Sequence, residues 1–301
     1  MKHFFYSFLL LCSSLFLFSA SNFYTDSCRK KNQSLQDYFK WKPGKTYPII
    51  MGHRMAPVSG YADNGFKTLE YTQKIAPCIV QEMDVRMTKD HVLVMLHDAT
   101  LDRTTTGKGN LTDFTFKELN NFELKDIYGR ILKGEHIPTL SKILQFVKKK
   151  KMIVALDMKK GTDPETLMRE VVKSKTLDNV IIICYTLNDA IILSKMYPKL
   201  MLALGFNSLD DIETIKHSGL PFENLIALTP NELKEKTFYD QIHSMGIMVS
   251  FSAQGGVDLE RSEKKGTSYQ KVFDRGGDII CTDSLENVLK TFSLKKNSKK
   301  H

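Results

Sequence analysis

Residues 49–54 read Ile49-Ile50-Met51-Gly52-His53-Arg54. Three large apolar residues and a glycine run directly into two ionisable ones. A short run that is apolar at every position suits a strand covered on both faces. The ionisable pair at its C-terminal end is unusual, and the pattern recurs down the chain. Apolar runs lie at 47–52, 79–87 joined to 92–96, 152–156, 180–185, 200–205, 225–228, 247–251 and 278–281. Segments with helical spacing separate most of them, at 140–149, 163–174, 188–196 and 209–217. Strands alternating with helices predict a parallel sheet. With 79–96 counted as one unit turning at Lys89-Asp90, there are eight units, which predicts an α/β fold of the (β/α)8 TIM-barrel type. A doubly wound open sheet is the competing architecture. No Gly-x-Gly-x-x-Gly turn follows the first strand, which counts against a dinucleotide-binding version of it.

The polar residues at the ends of these runs carry the functional reading. Asp157 and Lys159 follow 153–156, Thr186 and Asn188 follow 181–185, and Thr282-Asp283 follows 279–281. Asn207, Thr229, Ser252 and Gln254 take equivalent places. In barrels of this type the chemistry sits at the C-terminal ends of the strands. Within 79–85, Glu82 and Asp84 are two residues apart, so in a strand they face the same side. Two buried carboxylates repel each other unless something positive lies between them. A divalent cation would serve, with hard oxygen ligands favouring Mg²⁺, Ca²⁺ or Mn²⁺. A buried Lys or Arg would serve as well, and spacing alone leaves both open. His53 and His97 each end an apolar run, and together they could take and give a proton. Arg54 could hold a phosphate through two parallel hydrogen bonds.

The stretch Gly52-His53-Arg54, then Ala62-Asp63-Asn64, then Gln81-Glu82-Met83-Asp84-Val85-Arg86-Met87-Thr88-Lys89-Asp90, then His97-Asp98-Ala99-Thr100-Leu101-Asp102-Arg103-Thr104-Thr105 closely resembles the glycerophosphodiester phosphodiesterase family. The likeness is detailed over residues 49–118 and looser as far as Thr282-Asp283. It implies a barrel like that of phosphatidylinositol-specific phospholipase C. It also implies metal-dependent hydrolysis of glycerophosphodiesters to glycerol phosphate and an alcohol. Carried over residue by residue, it makes His53 and His97 the acid–base pair and Glu82 and Asp84 metal ligands. It makes Arg54 a phosphate contact. The family's third metal carboxylate sits in a Glu-x-Lys element, matched here by Asp157-Met158-Lys159, with Lys159 contacting phosphate or a substrate hydroxyl. The chain departs from the family pattern at Met55 and His91, where the family has glycine. Ser250-Phe251-Ser252-Ala253-Gln254 replaces its late tryptophan element. Two other readings stay open: a phospholipase C- or D-like lyase acting on intact lipid, and a non-catalytic phosphate-ligand binding module. The lyase would call for an apolar rim or membrane-inserting loop, and none stands out in the sequence.

The two ends differ from the body. Lys2 and His3 precede an apolar run at 4–18, followed by Ser19-Ala20-Ser21, the pattern of a secretory signal over 1–20. Export to the periplasm or outside the cell is expected. Cys12 follows Leu11, which is bulky where a lipoprotein box requires a small residue. Residues 21–46 read as a polar, irregular arm containing the single tryptophan, Trp41. One catalytic domain is expected over 47–289, with a short insertion near 101–137. Residues 290–301 read as a basic, solvated tail. Lys2 and the five lysines of 290–300 supply six of the nine net positive charges. The body is therefore only mildly basic, and no nucleic-acid partner is expected. A small phosphodiester is the expected ligand, with peripheral membrane proximity and a monomer or small homo-oligomer allowed. Beyond Cys12, the cysteines are Cys28, Cys78, Cys184 and Cys281. Export permits disulfides, but the last three lie in apolar runs, so buried free thiols are expected.

Overall fold

The computed structural model describes residues 28–255, 257–259 and 265–293. The expected signal segment and most of the basic tail lie outside these residues.

Eight parallel strands close into a barrel, as the apolar runs predict. They are β1 (Ile49–Gly52), β2 (Val80–Met87), β4 (Ile153–Met158), β5 (Val180–Cys184), β6 (Met201–Gly205), β7 (Leu225–Thr229), β8 (Met248–Ser252) and β9 (Ile279–Thr282). β3 (Leu93–Met95) folds back antiparallel on β2, with Val85 opposite Met95. Closure comes from β1, which pairs with β9 (Ile49 opposite Ile279) and with β2 (Met51 opposite Val80). Helices follow the strands: α2 (Phe66–Ile75), α4 (Leu140–Lys150), α5 (Pro164–Lys173), α6 (Leu187–Met196), α7 (Leu209–Lys216), α8 (Lys236–Ser244), α9 (Lys265–Arg275) and α10 (Leu285–Ser293). Their N-termini are set by side chains that accept a hydrogen bond from the first-turn backbone: Thr139, Asp163, Thr186 and Ser208.

Side-chain alternation divides the core. On β4, Ile153 and Ala155 face the barrel interior, while Val154 and Leu156 face the helices. The interior cluster takes one parity from every strand, including Ile49, Val80, Ile181, Met201, Ile226, Met248 and Ile279. Leu35 and Phe39 close it from below. They belong to α1 (Leu35–Phe39), so the arm read as irregular carries a short helix. Ser34 caps it by accepting from Asp37 N. Farther along the arm, Trp41 stacks on His243, with ring centroids 4.5 Å apart.

The cysteine expectation needs correction. Cys28 and Cys78 form a disulfide, their Cα atoms 4.9 Å apart. Cys78 lies on the turn before β2, not within the strand, and the arm passes that turn. Cys184 and Cys281 are free, as expected, and Cys184 is buried.

The insertion between β3 and α4 has its own apolar centre, formed by Leu101, Leu111, Leu119, Leu124 and Ile137 against Val94 and Leu96. It contains the short helix α3 (Phe116–Leu119), closed by a capping box between Thr115 and Glu118. Among the described residues, no helix is long and apolar enough to cross a membrane.

Candidate active site

Strand parity builds the site. Val80 points into the barrel, so Glu82 and Asp84 on β2 do too. On β4, Ile153 and Ala155 are followed in the same series by Asp157 and Lys159. The parallel register sets Asp84 opposite Asp157. Glu82, Asp84 and Asp157 each offer a carboxylate oxygen, all within 4.8 Å of one another. His53 continues the series Ile49, Met51 at the end of β1.

These carboxylates carry more negative charge than nearby cations neutralise. Lys159 Nζ lies 2.8 Å from Asp84 Oδ1 and 2.5 Å from Asp157 Oδ2. Asp84 Oδ1 is buried, and Lys159 is the cation in contact with it. Arg54 Nε is 3.8 Å from Asp84, and its Nη1 donates to Asp63 at 3.2 Å. Glu82 accepts only the Arg54 backbone N–H, at 2.8 Å, among hydrogen bonds in the described residues. Burial, with the Asp84 charge added, pushes the Glu82 carboxyl up to about 8. Burial works against the Asp84 charge too, but Lys159 and Asn64 outweigh it and hold this carboxyl below its usual range. Lys159 thus relieves part of the repulsion and leaves Glu82 uncompensated. Three hard oxygen donors within 4.8 Å of one another fit a divalent cation. Glu82, Asp84 and Asp157 are the residues that would hold it.

Each histidine is oriented by an aspartate. His53 Nδ1 pairs with Asp283 Oδ1 at 2.7 Å. Burial opposes its protonation, but Asp283 and the Glu82 charge prevail, and its pKa is raised. His97 Nδ1 pairs with Asp98 Oδ1 at 2.7 Å. Arg103 grips Asp98 through Nε and Nη2 and reaches Asp63 through Nη1. Arg54, Asp63, Arg103, Asp98 and His97 therefore form one chain of charged contacts that links the two histidine segments.

The turn that carries His53 is strained. Arg54, Met55 and Ala56 all have positive φ, at 49°, 69° and 50°. Left-handed backbone costs non-glycine residues about 1 kcal/mol or more each. The fully buried Met55 side chain, packed near Leu69 and Met83, offsets part of that cost. His91, the other position where the related family has glycine, also has positive φ (61°).

All seven residues singled out in the sequence lie in this one region. Four others were given no role there, although Asp283 stood among the polar strand ends and Asn64 within the quoted motif. Asp283 holds His53. Asn64 donates to Asp84 Oδ2 at 2.7 Å and accepts the Asp84 N–H at 2.9 Å. Tyr185 donates its hydroxyl to Asp157 Oδ1 at 2.6 Å. The buried Asp258 accepts from Asp283 N and Thr282 Oγ1, both at 2.7 Å, and so fixes the loop that carries Asp283. Tyr185 and Asp283 continue the inward parity of β5 and β9, a signal the sequence already held.

Residues 77–252 match the glycerophosphoryl diester phosphodiesterase family. A glycerophosphodiester phosphodiesterase of Caldanaerobacter subterraneus is 34% identical over 131 residues, 41% of this chain and 53% of that one. The matched stretches span about half the length of the curated relatives or less, 41% for one from Bacillus subtilis. The structure of a glycerophosphoryl diester phosphodiesterase from Parabacteroides distasonis superposes with a TM-score of 0.81 at 28% identity. That match covers 87% of this chain and 93% of the other. A phosphodiesterase of Oleispira antarctica, solved in complex with the product sn-glycerol-3-phosphate, shares the fold at 18% identity. Its TM-score is 0.63, over 81% of this chain and 96% of that one.

Proposed function

The chain belongs to the glycerophosphoryl diester phosphodiesterase family, and on that basis we propose that it hydrolyses glycerophosphodiesters to glycerol phosphate and an alcohol. One observation carries the reading: three buried carboxylates converge at the barrel mouth beside a histidine, an arginine and a lysine. Product-bound Oleispira phosphodiesterase supports a glycerol phosphate product.

A divalent cation held by Glu82, Asp84 and Asp157, Ca²⁺ or Mg²⁺ with Mn²⁺ as a third candidate, would supply positive charge for the developing phosphoryl oxyanion. Arg54 and Lys159 add fixed positive charge to the same region and orient the phosphate. One histidine takes the proton of the attacking glycerol hydroxyl while the other gives a proton to the departing alkoxide; with the roles reversed, water then opens the resulting cyclic phosphate to glycerol phosphate. Asp283 and Asp98 hold the two rings in the orientation and tautomer this exchange needs. Export is part of the proposal. The signal pattern supports it, as does the Cys28–Cys78 disulfide, which suits an oxidising compartment.

The deciding experiment is product analysis on a panel of glycerophosphodiesters, after exhaustive chelation and with single divalent metals restored. Glycerol phosphate should form only with a metal present. Full activity after chelation without readdition would refute metal dependence. No cleavage of any glycerophosphodiester under any metal would refute the activity.

A further inference from the structure

The insertion presents an apolar tip at the mouth of the barrel. Lys125 pairs with Ile131 across a hairpin whose turn is Asp126-Ile127-Tyr128-Gly129. The turn is closed by Gly129 N donating to Asp126 O at 2.9 Å. Ile127, Tyr128 and Ile131 are 46%, 70% and 53% exposed. Turn centres ordinarily hold Gly, Asn, Asp, Pro or Ser, so two large apolar residues there are not explained by turn chemistry.

The tip is held rigidly and aimed. The Asp126 side chain is wholly buried and accepts from Tyr128 N, Arg130 N and Gly60 N. It also binds the Arg130 guanidinium, which reaches Ser59 Oγ at 2.6 Å. Ser59 and Gly60 lie just beyond Ala56-Pro57-Val58 in the loop that continues from the His53–Met55 turn, so the tip is fastened to the loop that carries His53. Its charges are sorted. Asp126 faces inward and Glu123 is tied to Gly134 N. Lys125 Nζ is tied back to Asp102 O at 3.1 Å, whereas Lys133 is exposed and Arg130 stays exposed while it pairs with Asp126 and lies 5.3 Å from the centre of the Tyr128 ring.

An exposed apolar tip flanked by the exposed Arg130 and Lys133 side chains matches the interface of an anionic bilayer, where apolar side chains enter the acyl boundary and cations meet headgroup phosphates. We propose that Ile127, Tyr128 and Ile131 form a docking tip for an anionic lipid surface, which would bring the barrel mouth to that surface. This is independent of the reaction proposed above. The sequence did not show such a tip because Gly129 and Arg130 interrupt its apolar residues.

A local probe separates this site from any other membrane-binding segment of the full chain. Tyr128→Trp places an indole at the tip, far from Trp41 at the other end of the barrel. Vesicles containing phosphatidylglycerol should shift its emission to the blue, and brominated acyl chains should quench it. Pure phosphatidylcholine vesicles should give a weaker response. Ile127→Ser/Tyr128→Ser should lower the vesicle partition coefficient by about tenfold or more while leaving turnover of a soluble glycerophosphodiester unchanged. That turnover also verifies folding. An indole unaffected by saturating anionic vesicles would overturn the proposal. Wild-type vesicle binding in the double-serine variant would overturn it too, as would a tip serving only self-association in sedimentation velocity.

Discussion

At the scale of single residues, the site depends on pairs in which one member is held by another. His53→Ala and His97→Ala should each lower kcat/KM by at least about 10²-fold. Near wild-type turnover in both would end their assignment. Asp283→Asn keeps shape and removes charge. The bond to Asp283 raises the His53 pKa against the effect of burial, so the variant should move the His53 limb of the pH–rate profile to lower pH. An unmoved profile would show that Asp283 does not govern His53. Asn64 allows a cleaner cut. Its φ is 56°, which glycine adopts freely, so Asn64→Gly keeps the backbone and deletes the side chain. Asp84 then loses both hydrogen bonds to Asn64. Divalent-cation affinity by calorimetry should fall by about 10- to 100-fold. Unchanged affinity would remove Asn64 from the support of the site.

At the scale of elements, β2 carries two kinds of residue on opposite faces. Met83 and Val85 pack outward against the helices, and outward-facing Gln81 donates to Thr72 on α2 at 2.8 Å. Glu82 and Asp84 face in. A one-residue slip of this strand would bury Met83 in the site and send both carboxylates into the helix layer, so the outer packing fixes the register. The arm is the second element with a clear test. Its disulfide spans a sequence separation of 50, and Cys78 lies at the end of the barrel away from the site. Cys28→Ser should cost about 2–4 kcal/mol in urea unfolding. It should leave turnover at low temperature intact, whereas a large loss of turnover would mean that the arm reaches the mouth through the barrel.

At the scale of the whole molecule, site and stability are coupled through protons. The Glu82 carboxyl titrates near 4.5 when unfolded and near 8 when folded, because of burial and then the Asp84 charge. Between those values the folded state binds more protons, so stability falls as pH rises. The stability that protonated Glu82 contributes is full below about 4.5 and gone above about 8. The chelated protein should therefore show a urea midpoint that declines across this window. Glu82→Gln should flatten the decline, and so should saturating divalent cation. A slope that Glu82→Gln leaves unchanged would locate the pH dependence elsewhere.

The division between what was legible early and what was not follows from range. Continuous apolar runs ending in ionisable residues predicted the eight strands and the mouth where the chemistry lies. Spacing of two put Glu82 beside Asp84, strand-end position picked out His53, Arg54, His97, Asp157 and Lys159, and motif likeness gave them roles. Those signals are carried by neighbours along the chain, where strand alternation alone dictates which side chains share a face. Parity could have gone further, because Tyr185 and Asp283 continue the inward series of β5 and β9. Their partners could not be read that way. The pairing of Asp283 with His53 spans 230 residues and exists only because β9 closes the ring against β1. Cys28 meets Cys78, Asp258 meets Asp283, and the hairpin tip meets Ser59 and Gly60 through other contacts between segments distant in sequence. The sequence by itself determined the elements and the type of chemistry. Tertiary packing, including closure of the barrel, decided which charges meet, which thiols join and which apolar residues are left facing outward, because these contacts join segments far apart along the chain.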